Sequence, residues 1–171
     1  MQKDTPLPLP QIEYIPQVTT PAGNNTGTLQ ICSWNINGIR ANLAQGGFQF
    51  LITEQPDIIL LQETKCAADR RPQKALLDAY HMYFLDGSKS GHYGVAIYSN
   101  IKPIRVTAGI GNNELDHEGR IITAEFDNDY VINVYEPTSG MTVEALPKRL
   151  MWDVYLYDHL QKLMAHKQII L

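Results

Sequence analysis

Four aliphatic residues followed at once by a carboxylate make Asp57-Ile58-Ile59-Leu60-Leu61-Gln62-Glu63-Thr64-Lys65 the stretch where chemistry is to be sought first. So short an apolar run, opened by Pro56-Asp57, predicts a strand buried on both faces. In an open α/β sheet such a strand delivers its last residues to the crevice at the carboxyl edge, where ligands bind. Glu63 is therefore a candidate site residue; the competing reading is a carboxylate that ends the strand in solvent. Two further strand ends carry polar groups: Asn35, with Asn37 after it, closes a strand over residues 29–34, and Tyr135 closes a strand over residues 130–135. Each has an ordinary alternative, turn residues before Gly38 for the two asparagines and a strand aromatic for Tyr135.

The elements that must position these groups follow from punctuation and period. A helical pattern runs through Leu43, Phe48 and Leu51, interrupted at Gly46-Gly47 and stopped by Pro56, so the first part of the folded chain spells strand, helix, strand. A short helix is expected over residues 71–78. The period then changes to two, predicting strands at residues 80–85, 93–99, 103–107, 120–126 and 130–135, with Asp127-Asn128-Asp129 turning a hairpin. In its second strand Tyr130, Ile132 and Val134 share one face and Val131, Asn133 and Tyr135 the other. Leu146, Leu150, Val154, Tyr157, Leu160, Leu163 and Met164 fall at helical spacing, with Pro147 in the first turn, and residues 168–171 begin another strand. Residues 1–28, with five prolines and no apolar period, are expected to be a disordered tail, leaving 29–171 as the folded unit.

Composition narrows the classes. The chain has 171 residues, 44% hydrophobic and 19% charged, enough for one domain with a core and without an apolar run able to span a bilayer. A net charge of -4 gives no overall basic signature, so contact with a polyanion must rest on local basic groups or a bound cation. Cys32 and Cys66 read as reduced thiols of a cytosolic or nuclear protein, with the nucleus the expected location and cytoplasm or mitochondrion the alternatives. Adjacent Asp116, His117 and Glu118 are not read as a metal cluster, because three consecutive side chains cannot all face one ion, and Arg120 is read as an anchor of that loop.

Ser33-Trp34-Asn35-Ile36-Asn37-Gly38-Ile39-Arg40-Ala41, Leu61-Gln62-Glu63-Thr64-Lys65, Gly91-His92-Tyr93-Gly94-Val95-Ala96, Asp116-His117-Glu118-Gly119-Arg120 and Tyr135 with Pro137, in that order, resemble the exonuclease III family of apurinic/apyrimidinic (AP) endonucleases. The resemblance implies an α/β fold, a four-layered sandwich of two face-to-face mixed sheets with outer helices. It implies metal-dependent hydrolysis of the phosphodiester 5′ to an abasic site in duplex DNA, with 3′-end repair or exonuclease activity. By the same resemblance Glu63 is the Mg²⁺ ligand, with Mn²⁺ as a substitute, and Asn35 and Asn37 assist it. Tyr135, with Asn35, serves the scissile phosphate, while Arg40, the Ala41 backbone, Gly91, His92 and Thr138 approach the DNA. A hard cation on carboxylate oxygen suits this reaction, because its transition state gathers negative charge on phosphate oxygens.

The sequence also departs from the family. Thr138 stands where relatives carry Asn, and Glu136 adds a negative charge beside the presumed phosphate, a repulsion of up to ~4 kcal/mol if the two were about 4 Å apart. The family's later motifs, Gly-Asp-Leu-Asn, a further Asp and a terminal Asp-His, would lie beyond Leu171. The resemblance therefore implies the N-terminal portion of the domain, inactive alone, with a second chain as one way to complete it and a non-catalytic structural subunit as the alternative. Without the second sheet, the inner faces of Val95-Ala96-Ile97 and Ile121-Ile122 are expected to form an exposed apolar patch. Inositol-polyphosphate and sphingomyelin phosphodiesterases of the same superfamily lack the Trp34 to Arg40 and Asp116 to Arg120 wording.

Overall fold

Residues 58–61 occupy the middle of the fold because their strand is covered on both faces, by helices on one side and by a second sheet on the other. The computed structural model describes residues 9–17, 28–71, 78–139 and 145–171. In chain order its elements are β1 (Ile12–Ile15), β2 (Ile31–Asn35), α1 (Ile39–Ala44), α2 (Gln49–Glu54), β3 (Ile58–Gln62), β4 (His81–Leu85), β5 (Val95–Ser99), β6 (Arg105–Ala108), α3 (Asn113–Asp116), β7 (Ile121–Glu125), β8 (Asp129–Val134), α4 (Leu146–Met164) and β9 (Gln168–Ile170), with a 3₁₀ turn at Ala68–Arg70. One sheet has the order β1-β4-β5-β3-β2 and the other β6-β7-β8-β9. β3 pairs in parallel with β2 and antiparallel with β5.

Alternation along β3 separates two cores. Ile59 and Leu61 pack with Ile39, Phe48 and Leu51 of the α1–α2 layer, whereas Ile58 and Leu60 face Val95, Ile97, Ile122, Ala124 and Val131 between the sheets. A third cluster joins the far face of the second sheet, through Ile121, Tyr130 and Ile132, to Trp152 and Leu156 of α4. Helices, sheet, sheet and helix make the four-layered sandwich. At about 1.5–3 kcal/mol for each fully buried aliphatic side chain, these three clusters supply most of the driving force. At the end of the sandwich away from the site rim, Asp57 ties the starts of β2 and β3 to the end of β5, accepting hydrogen bonds from the Gln30 amide at 2.8 Å and from Asn100 Nδ2 at 2.9 Å.

Several expectations need correction. Val95, Ala96, Ile97, Ile121 and Ile122 do not form an exposed patch: Val95, Ile97 and Ile122 are buried between the two sheets, Ala96 against the α1–α2 layer and Ile121 against α4. The apolar face of α4 is rotated: Trp152 and Leu156 reach the core, while Leu150, Val154 and Tyr157 are 56%, 61% and 62% exposed. Two apolar lines run along this helix, and the tryptophan decides which one is inside. The single helix expected after β2 is two short ones, split around Gly46-Gly47. The helix expected over residues 71–78 falls mostly outside the described residues.

The N-terminal stretch is not all disordered tail. Ile12–Ile15 pairs antiparallel with β4, Ile12 opposite Leu85 and Ile15 opposite Met82, and closes that edge of the first sheet. Tyr14 stacks on Tyr83 at 4.8 Å between ring centroids, and its hydroxyl meets His81 Nδ1 at 3.0 Å. Arg71 locks the strand in place: its buried guanidinium pairs with Glu13 and with Asp86 and lies 4.0 Å over the Phe84 ring. None of these partners is near Glu13 in sequence, which is why local composition read as disorder. Arg71→Leu, which keeps apolar cover on Phe84 but removes both ion pairs, is expected to speed amide exchange in Ile12–Ile15 at least ten-fold while β3 and β5 stay protected, a loss of about 1.4 kcal/mol or more in local stability. Hydrogen–deuterium exchange checks it; unchanged protection of β1 contradicts the lock.

Candidate nuclease site

The three strand ends meet. The parallel register of β2 and β3 sets Asn35 opposite Gln62, one residue from Glu63. Continued strand alternation would turn Glu63 toward the α1–α2 layer with Ile59 and Leu61. Instead its φ of 55° leaves the strand conformation, and the carboxylate meets Asn35 and Tyr135. Asn37 and Lys65 have φ of 47° and 49°. Left-handed backbone at a non-glycine residue costs on the order of 1–3 kcal/mol, so the surroundings must hold it.

They do so with main-chain hydrogen bonds. The amides of Ile36, Gly38 and Ile39 donate to the carbonyls of Gln62, Glu63 and Thr64 at 3.1, 2.8 and 3.0 Å. On the other side, the amides of Thr64 and Lys65 donate to Gly94 and Tyr93 at 3.1 and 2.9 Å. Gly94 is required there: its φ is 84°, and a Cβ would lie 2.4 Å from Thr64 Oγ1.

Within this frame Asn35 Nδ2 donates to Glu63 Oε1 at 2.7 Å, while Asn35 Oδ1 accepts from the Asn37 amide at 3.1 Å. Lys65 Nζ lies 2.7 Å from Glu63 Oε2 and donates to Asn37 Oδ1 at 2.5 Å. Burial opposes ionisation of Glu63, but hydrogen bonds from Lys65, Asn35 and Tyr135 outweigh it and hold the carboxyl below its ordinary range. Burial and then the hydrogen bond to Glu63 push the Tyr135 phenol up, so it stays protonated as a donor.

Tyr135 is held from behind by Arg120. That guanidinium lies 4.6 Å from the Tyr93 ring centroid and 4.7 Å from that of Tyr135. It donates to the carbonyls of Tyr135 and Glu136 at 3.1 and 3.2 Å and, through Nε, to Glu118 Oε2 at 2.6 Å. Burial opposes ionisation of Glu118, yet Lys148 and Arg120 hold its pKa down. Arg120 thus anchors its loop, and Asp116 accepts from the amides of Ile110, Gly111 and Asn112. Glu136 does not face the site as a bare charge: Arg149 pairs with it at 2.7 Å and donates to the Pro137 carbonyl at 3.2 Å, removing the expected repulsion.

Asn35, Asn37, Glu63 and Tyr135 therefore form one hydrogen-bonded cluster. Arg40 and Ala41 open α1 just beyond Asn37, Gly91 and His92 occupy the turn bonded to the Glu63 segment through Tyr93 and Gly94, and Thr138 follows Tyr135; all five are exposed. Lys65, Gln62 and Asn133 were not singled out by sequence reasoning. Lys65 lay within a recognised motif, and Asn133 could have been noticed as the one amide inside an apolar strand. No group of three His, Cys, Asp or Glu side chains suited to a metal occurs among the described residues. The cluster still fits a hard cation, because Glu63 Oε2 and Asn37 Oδ1 already converge on one positive charge, the Lys65 ammonium. Mg²⁺ commonly needs only one or two carboxylates, the rest of its shell being water and phosphate.

Comparison with known proteins bears on this geometry. The family described as Endonuclease/Exonuclease/phosphatase matches residues 32–171. The chain is 47% identical over 144 residues to recombination repair protein 1 of Drosophila melanogaster, covering 84% of this chain and 21% of that protein. It is 36% identical over 159 residues to the DNA repair nuclease APEX1 of Danio rerio, covering 91% of this chain and 51% of the relative. Among solved structures, an AP endonuclease from Archaeoglobus fulgidus superposes with a TM-score of 0.66 at 34% identity, covering 79% of this chain and 52% of that one. The chain thus spans about half the length of the last two and less of the first. With its family motifs in order, its four layers in place and its rim residues gathered, this chain belongs to the endonuclease/exonuclease/phosphatase family, in the branch of the exonuclease III-type AP endonucleases.

Proposed function

We propose that this chain supplies the cation-holding and phosphate-positioning side of a DNA-repair phosphodiesterase that cuts duplex DNA 5′ to an abasic site. The observation that carries the reading is the Glu63 carboxylate, kept ionised within its ring of donors and converging with Asn37 Oδ1 on a single cation position. Mg²⁺, with Mn²⁺ as a substitute, supplies the charge that offsets the build-up on the phosphate oxygens. Glu63 holds it. Asn35, engaged on both sides of its amide, aligns Glu63, and Asn37 offers the second oxygen. The protonated Tyr135 hydroxyl donates to the scissile phosphate. Arg40, the Ala41 amide, the Gly91-His92 turn and Thr138 meet flanking phosphates, contacts that place a duplex without reading its sequence. A role in DNA repair would place the chain in the nucleus, and no helix among the described residues is long and apolar enough to cross a membrane.

Activation of the attacking water needs a base that this cluster does not contain, since its only carboxylate is committed to the cation. The 171-residue chain alone is therefore expected to leave an abasic-site duplex uncut in Mg²⁺. Cleavage is expected once a polypeptide carrying the remaining family motifs is supplied in the same or a second chain, and Glu63→Gln should lower it at least 10²-fold. A gel-based nicking assay decides; cleavage that survives Glu63→Gln refutes the assignment.

The same carboxylate makes an acid-stability prediction. Its folded pKa is depressed, so the stabilisation from its donors is complete above the ordinary value of 4.5 and is lost as pH falls through the folded value. In metal-free buffer, urea denaturation should show a constant difference in unfolding free energy between wild type and Glu63→Gln from about pH 7 to about pH 5, shrinking at lower pH. A gap that persists unchanged to about pH 3 contradicts the donor ring.

A further inference from the structure

Between the sheets, directly inside the site, lies a link of amides in a layer that is mostly apolar. Asn133, 1% exposed, projects from β8 and spends both hydrogens of its Nδ2 on the first sheet, donating to the carbonyl of Leu61 at 2.9 Å and of Ala96 at 2.8 Å. With both donors committed, the amide can turn only its Oδ1 toward Gln62, whose Nε2 donates to it at 2.6 Å. Gln62 Nε2 also donates to Ser33 Oγ at 3.1 Å. Ile58, Leu60, Val95, Ile97, Ile122, Ala124 and Val131 fill the rest of this layer, so the amides are the polar exception in it. Directional bonds do what apolar packing cannot: they set the sliding position of one sheet on the other.

Each member stands immediately inside a rim residue. Gln62 precedes Glu63; Asn133 is two residues before Tyr135 and Ser33 two before Asn35, each pair sharing a strand face. Tyr135 comes from the second sheet, and Asn35 and Glu63 come from the first. We propose that Gln62 and Asn133 are positioning residues of this site, an amide-to-amide strut that holds Tyr135 of one sheet against Glu63 and Asn35 of the other. The strut rests on the function proposed above for its metal and phosphate consequences, but the alignment itself is a property of the chain. Such sites tolerate displacements of only about 0.5 Å, so a small slip between sheets is enough to open them.

The test compares wild type with Gln62→Met, which keeps volume and leaves the Asn133 ties to Leu61 and Ala96 intact, and with Asn133→Leu as the harsher variant. Folding is checked by urea denaturation, the Asn35 side-chain amide resonance in metal-free buffer reads the bond to Glu63, and electron paramagnetic resonance of free Mn²⁺ reads cation affinity. Gln62→Met is expected to remain folded, to move the Asn35 amide signal toward that of a solvated amide and to weaken Mn²⁺ binding about ten-fold. A purely structural role would lower stability and leave the amide signal and the Mn²⁺ affinity of the folded protein unchanged, and that result overturns the proposal. If wild type itself takes up no Mn²⁺, the cation-site reading fails, and the Asn35 signal alone decides for or against the strut.

Discussion

The carboxylate of Glu63 can serve this site only because its backbone leaves the strand at that residue. Strand geometry would have carried the side chain to the helix-covered face with Leu61; a φ of 55° brings it to Asn35 and Tyr135 instead. A non-glycine residue in that conformation reverts unless its neighbours over-determine it. Here the β2–α1 turn donates three amides to one side of the segment, and the turn at Tyr93-Gly94 accepts two on the other. The motifs around Asn35, Glu63 and Gly94 are thus three strands of one lacing, and each makes physical sense only with the other two.

The rest of the sandwich keeps that lacing in register with the second sheet. Arg120 sits between the rings of Tyr93 and Tyr135 and bonds the backbone after Tyr135, while Arg149 of α4 takes the next carbonyl and neutralises Glu136. α4 therefore matters to the site although it lies on the far side of the second sheet: Trp152 and Leu156 fix the helix, and its first turns reach the loop that carries Tyr135. The Asp57 ties at the opposite strand ends leave the site end of the sandwich as the open one.

Much of this was legible in sequence where a local signal exists. The run from Ile58 to Leu61 announced a doubly buried strand, the alternation after Tyr130 put Tyr135 and Asn133 on one face, and the ordered motifs implied four layers that periodicity could not. What escaped depends on partners distant in the chain. Ile12–Ile15 looks like tail because its strand character comes from the open edge of β4 and its lock from Arg71. The buried line of α4 is not legible locally because two apolar lines compete on one helix and only packing against Ile121, Tyr130 and Ile132 of the second sheet selects Trp152. Glu136 looked repulsive because the arginine that pairs with it lies on α4. The turn-out of Glu63 was invisible for a different reason: a positive φ at a glutamate has no sequence signature, unlike one at glycine.

The central claim, that the rim of β2, β3 and β8 is a preformed cation site, is tested most directly by adding substoichiometric Mn²⁺ to the ¹⁵N-labelled chain and recording which amide resonances broaden. The account predicts broadening centred on Asn35 through Gly38, Glu63 through Lys65 and Tyr135 and fading with distance from them, and its disappearance in Glu63→Gln. Broadening centred on Asp116 to Glu118, or spread over the acidic surface and indifferent to Glu63→Gln, would contradict it.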